Sequence, residues 1–188
     1  MVNILVCSIK GGVGKSTVSS ELVSSFKRTN EKFNYIDLDY QGDPMYETSI
    51  QNDAVVSVID TPPGMSQNLA KWMQEANVLV IPTLMTARDM IPLQRMREIV
   101  KANFKGQTLY VLNRWDRFTA SKDFIQWFNQ LSDTENRVLL PQSTVFAKAS
   151  EYQESVVTFA KRSPAAVAVM EMVNKVRVMA GLSEESIL

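Results

Sequence analysis

One stretch constrains this chain more than any other. An apolar run, Ile4 to Cys7, leads into Lys10-Gly11-Gly12-Val13-Gly14-Lys15-Ser16-Thr17, and Val18, Leu22 and Phe26 follow at helical spacing. A strand, a glycine-rich turn and a helix in that order make a phosphate cradle. The glycines let the backbone curl until successive N–H groups face one point. The new helix adds its free N–H groups and the positive end of its dipole. Lys15 is placed to neutralise β- and γ-phosphates, and the Ser16 hydroxyl to ligate Mg²⁺.

Further apolar runs of strand length recur at Phe33 to Leu38, Ala54 to Ile59, Val78 to Ile81, Leu109 to Leu112 and Val138 to Leu140. Most are continuous, the pattern of strands buried on both faces of a parallel sheet. Between them lie helical sets: Met90, Leu93, Met96 (or Arg97) and Val100, then Phe124, Phe128 and Leu131. A last helix is expected with Ser163 as N-cap, Pro164 at its first position, Val167, Met170, Val173 and Val176 on its core side, and Gly181 as terminator. The alternation predicts an α/β fold: a doubly wound, mainly parallel sheet with helices on both faces. Residues 1–182 are expected to form one domain, and the acidic tail 183–188 to fray.

Composition removes several classes of chemistry. There is no histidine, so neither an imidazole base nor a His-based metal site is available. The single cysteine, Cys7, lies in an apolar strand and fits a reducing compartment. Twenty basic and twenty acidic residues cancel, which argues against a basic nucleic-acid coat but leaves room for a local patch. No segment approaches the roughly 18 apolar residues of a membrane span. A soluble, cytoplasmic protein is expected.

The standard loop pattern G-x-x-x-x-G-K-[ST] does not fit, because its first glycine falls at Ile9; Lys10 stands before the glycines instead. The segment Lys10 to Thr17 resembles the deviant P-loop, KGGVGK[ST]T, of the ParA/MinD ATPases. The resemblance implies ATP and Mg²⁺ as ligands, with Lys10, Gly11, Gly12, Val13, Gly14, Lys15, Ser16 and Thr17 binding the nucleotide. It further implies that Lys10 reaches across a two-fold interface to the phosphates of a second subunit, coupling ATP to homodimerisation and acting on the leaving γ-phosphoryl group. Asp37-Leu38-Asp39-Tyr40-Gln41-Gly42-Asp43 is similar to the family's D-x-D-P-Q-G-N, with Tyr40 for proline and Asp43 for asparagine. Carried over, Asp39 orients or activates the attacking water and Asp37 holds the metal's hydration shell. Asp60-Thr61-Pro62-Pro63-Gly64 resembles the Walker B segment, with Asp60 beside the Mg²⁺ shell and Gly64 able to respond to the γ-phosphate. Asn77 to Thr83, and more weakly Ala147 to Val157 and the last helix, extend the likeness. The short segment between Asp43 and Ala54 lacks a helical insertion that partition ATPases carry.

Asn113-Arg114-Trp115-Asp116 echoes an N-K-x-D guanine-reading element, whereas in the ATPase family an asparagine here faces adenine; ATP is the favoured reading. By resemblance alone, the ATP-bound dimer binds DNA without sequence preference, with Lys161, Arg162, Lys175 and Arg177 as candidates and Arg88, Arg95, Arg97 and Lys101 as a second group. Each is equally readable as a solvated helix face. The acidic C-terminus has no basic amphipathic face for a membrane. Cys7 alone excludes the iron–sulfur branches. The function implied is partition of plasmid or chromosome DNA, with hydrolysis stimulated by a centromere-binding adaptor and the ATP state on the nucleoid. Two alternatives stand beside it: a nucleotide-switched protein that positions protein cargo, and a metabolic ligase or kinase, for which no substrate motif is present.

Overall fold

Every apolar run becomes a strand. A computed structural model describes residues 1–39, 45–64 and 68–186. Along the chain lie β1 (Val2–Val6), α1 (Lys15–Arg28), β2 (Phe33–Asp37), β3 (Val56–Asp60), α2 (Leu69–Glu75), β4 (Val78–Leu84) and α3 (Ala87–Asn103). They are followed by β5 (Gln107–Trp115), α4 (Thr119–Phe128), β6 (Arg137–Pro141), α5 (Thr144–Glu151), α6 (Val156–Phe159) and α7 (Pro164–Met179). The six strands form one sheet in the order β2-β3-β1-β4-β5-β6. All its pairings are parallel, so the expected α/β doubly wound sheet is present.

The continuous apolar strands fill two layers. In β1, Ile4 and Val6 point to one face and Leu5 and Cys7 to the other; β4 and β5 alternate in the same way. The first face packs on α1, α5, α6 and α7, the second on α2, α3 and α4. β1 lies between β3 and β4, where the winding reverses direction. In open parallel sheets the crevice at that point, beyond the strands' carboxyl ends, is the usual ligand site.

Two expectations change. Val167 is 57% exposed, and the core face of α7 is carried instead by Ala165, Ala166, Val169, Met170, Met172, Val173 and Val176. The start of the tail is tied down rather than frayed. Arg177 Nε donates to the Ser183 carbonyl at 2.6 Å, and Asn174 exchanges two hydrogen bonds with the Glu185 backbone. The Glu185 carboxylate accepts from Ser25 Oγ at 2.6 Å and from Arg28 Nε at 2.5 Å. Ile187 and Leu188 lie outside the described residues, as does Tyr40 to Asp43 of the D-x-D segment.

Candidate functional site

The turn after β1 takes its shape from two glycines that adopt left-handed backbone: Gly12 at φ 71° and Gly14 at φ 100°. Gly14 is also crowded, since a Cβ there would lie 2.3 Å from Asn113 Nδ2. A side chain at that position would be both strained and obstructed. Gly14 caps α1, and its carbonyl accepts from Val18 N–H at 3.0 Å. Asn113 Nδ2 donates to the Val13 carbonyl at 2.9 Å and braces the loop from β5. Lys15 is buried at the head of α1, with Ser16 and Thr17 in the same turn. Gly64 N–H donates to the Ile9 carbonyl at 3.1 Å, so the loop after β3 is fastened to the same turn.

The acidic residues converge here through strand register. Asp60 ends β3 opposite Val6 of β1 and Asp37 of β2. Asp39 N–H donates to Asp37 Oδ1 at 2.8 Å, an Asx-type contact at the strand end. Asp60 is 1% exposed, and neither of its carboxylate oxygens has a partner at normal hydrogen-bond geometry. Burial pushes its pKa up to about 6, against the pull of the Ser16 hydroxyl and the Lys15 ammonium; Asp37 and Asp39 reinforce the rise. A buried, unpartnered carboxylate beside a hydroxyl and two further carboxylates fits a hydrated divalent cation. Ser16, Asp37 and Asp60 are thus brought together, and Asp39 stands beside them.

Lys10 occupies the mouth of the loop. Its ammonium donates to Asp89 Oδ1 at 2.5 Å; the lysine side chain is 33% exposed and the aspartate 1%. Asp89 lies in the first turn of α3, where its other oxygen accepts from the Thr86 hydroxyl and its N–H donates to the Thr86 carbonyl at 2.9 Å. Sequence reasoning identified this helix by Met90, Leu93 and Val100 but missed Asp89. The signal was present as Thr-x-x-Asp at a helix N-terminus, although here the Thr86 hydroxyl donates to Asp89 rather than capping a backbone N–H.

Beyond the loop a cleft of about 330 Å³ is lined by Asn113, Arg114, Pro141, Ser143 and Phe146 among others. Asp116, the acidic member of the guanine-like run, is not part of its wall. Its Oδ1 accepts from Phe118 N–H at 3.1 Å and from the Ser121 hydroxyl at 2.7 Å, holding the start of α4.

The candidate DNA contacts differ in exposure. Arg177 is 2% exposed and makes a bidentate pair with Glu31, at 2.7 and 2.9 Å, so it is withdrawn as a surface cation. Arg97 is buried against the Ser132 carbonyl and is withdrawn for the same reason. Lys175 bonds the Arg137 carbonyl and Glu171 at 2.7 and 2.8 Å. Lys161, Arg162, Arg88, Arg95 and Lys101 remain exposed, with Lys101 paired to Asp133.

With this geometry in place, residues 4–156 match the family described as the CobQ/CobB/MinD/ParA nucleotide binding domain. The chain belongs to that family. In this CobQ/CobB/MinD/ParA domain the match begins in β1 and ends at the first residue of α6, so it spans the loop, the three aspartates and the cleft. No curated protein matches the chain by sequence. Solved structures share its fold. The ATP complex of a substituted McdA from Cyanothece superposes with a TM-score of 0.79 at 14% identity, over 100% of this chain and 98% of that one. The septum site-determining protein MinD with Mg-ADP from Pyrococcus horikoshii gives 0.72 at 16% identity, over 96% and 97%. A putative plasmid partition protein from Borrelia burgdorferi bound to AMPPNP gives 0.67 at 15% identity, over 91% and 98%. No helix among the described residues is long and apolar enough to cross a membrane.

Proposed function

We propose that this domain is a partition-type ATPase whose bound ATP controls self-association through Lys10. The observation that carries the reading is the position of that lysine. It sits at the open mouth of a glycine-shaped loop, on a single intrachain aspartate, with a third of its side chain in solvent. The loop amides and Lys15 hold the triphosphate, while Ser16, Asp37 and Asp60 would hold Mg²⁺ through its hydration shell. The metal, when bound, neutralises charge on the phosphate oxygens. Asp39 orients the attacking water, since the chain has no histidine to take that proton. Lys10 leaves Asp89 for the phosphates of a second subunit, adding positive charge where the γ-phosphoryl departs. ATP is preferred to GTP, because the carboxylate that would read guanine is engaged at the start of α4. The dimer then binds DNA without sequence preference, and a DNA-bound adaptor stimulates hydrolysis.

Sizing the protein with ADP and with a slowly hydrolysed ATP analogue tests this. The wild type is expected to dimerise only with the analogue. Lys10→Ala should still bind nucleotide yet stay monomeric and lose roughly a thousandfold in stimulated turnover. A normal dimer from that variant would refute the cross-subunit role, and undiminished ATP affinity in Lys15→Ala would remove the phosphate-loop assignment.

A second reading has one observation in its favour. With Arg177 and Arg97 buried in ion-pair and carbonyl contacts, fewer cations are left for a DNA face on a chain of zero net charge. A nucleotide-switched protein that positions protein cargo needs no such face. Retention on DNA at low salt, with ATP present, separates the two: retention supports partition of DNA, and its absence supports the cargo reading.

A further inference from the structure

Among the described residues four non-glycine positions have left-handed backbone: Asn30, Arg114, Asp133 and Gln153. Asn30 and Gln153 follow the ends of α1 and α5, where that conformation commonly closes a helix. Asp133 is of a residue type that tolerates it in loops. Arg114, at φ 57°, is different, because it stands inside β5. The cause is local. Leu112 of β5 lies opposite Leu139 and Trp115 opposite Pro141, three steps on one strand against two on the other. The extra residue makes a bulge, which interrupts the strand's alternation and re-aims its side chains.

The bulge serves two neighbouring residues in different ways. Asn113 is turned onto the phosphate loop, with Nδ2 on the Val13 carbonyl and Oδ1 accepting Arg114 N–H at 2.9 Å. Arg114 is exposed and lines the cleft that opens beside that loop. No carboxylate among the described residues pairs with its guanidinium. Pro141 and Phe146 line the same cleft and give it apolar surface. A guanidinium is planar and weakly hydrated, and it stacks on aromatic rings where an ammonium does not. Asp116, the one acid near enough in sequence to read a base edge, lies off the cleft wall and is occupied.

We propose that Arg114 stacks its guanidinium on the face of the nucleotide's purine base, recognising a flat ring rather than its hydrogen-bonding edge. The inference rests on the reading that the triphosphate occupies the loop. It makes Arg114 a nucleotide-positioning residue whose strained backbone is kept for where it sends the side chain.

The test compares three ligands, ATP, GTP and inorganic tripolyphosphate, each with Mg²⁺, by calorimetry on the full chain. Arg114→Gly removes the side chain and accepts the left-handed backbone. It should weaken ATP and GTP alike, by about tenfold, and leave tripolyphosphate within about twofold. Arg114→Lys keeps the charge without the plane and should recover less than half of that loss on a logarithmic scale. Equal weakening of tripolyphosphate would overturn the proposal in favour of a phosphate contact, as would full rescue by lysine. No change in any ligand would overturn it outright. A wild-type protein that binds none of the three would remove the phosphate-loop reading itself, an outcome distinct from failure of the stacking contact alone.

Discussion

At the scale of single residues, Asp60 carries the sharpest conflict between stability and use. Its carboxylate is buried without a partner, and its pKa is raised to about 6 by burial. At neutral pH the nucleotide-free fold therefore holds a charge it would rather discharge. Asp60→Asn should raise the stability of the nucleotide-free protein at pH 7.5 by ~1–2 kcal/mol. The same substitution should abolish the extra stabilisation that Mg²⁺ adds to ATP while sparing that given by ATP in chelator. Thermal unfolding with and without each ligand reads both effects, and an undiminished Mg²⁺ increment would clear Asp60 of metal binding. Such residues were legible because three acids fall at strand ends. Others were not. Arg177 and Lys161 read alike in sequence, and only burial shows that Arg177 is bound to Glu31 and bonded to the Ser183 carbonyl.

At the scale of elements, length decided what could be read. The central strands β1, β4 and β5 are apolar on both faces, so each announces itself without any periodicity. The helices α2, α5 and α6 did not. α2 buries only Leu69 and Met73, and α5 only Ala149, too few positions to show a repeat. α5 and α6 are nonetheless capped: Ser143 accepts from Val145 N–H and Ser155 from Thr158 N–H, each at 3.2 Å. The junction of α1 with α6 holds a second buried acid. Glu21 Oε1 accepts from Val156 N–H at 2.8 Å, while Oε2 is buried without a partner. Burial pushes its pKa up to about 7; the Val156 N–H and Arg28 oppose this, and Glu185 adds to it. Because the folded pKa lies above the ordinary carboxylate value, this group's stabilisation is present below about pH 4.5. It is lost as pH rises toward 7. Glu21→Gln should match the wild type near pH 4.5 and exceed it by up to about 3 kcal/mol at pH 8. A difference that does not change across that range would mean the carboxyl titrates as it does in water.

At the scale of the whole molecule, the Lys10–Asp89 pair joins the two halves of the site, because Lys10 follows β1 and Asp89 opens α3. For Lys10 to serve a second subunit it must leave an aspartate that is 1% exposed, and removing one partner from a buried pair is costly. The Thr86 hydroxyl stays with the carboxylate and offsets part of that cost. On the proposed reading the pair biases the free chain toward the monomer, and the nucleotide would have to supply the difference by binding the dimeric arrangement more tightly. Asp89→Asn keeps the side-chain volume and removes the charge that holds Lys10. The variant should dimerise at about tenfold lower concentration of the slowly hydrolysed analogue, a shift of ~1.4 kcal/mol. It should also show measurable self-association with ADP. Light scattering across a nucleotide titration gives both quantities. Weaker dimerisation in Asp89→Asn would invert the argument, showing that the aspartate aims Lys10 at its target rather than holding it back.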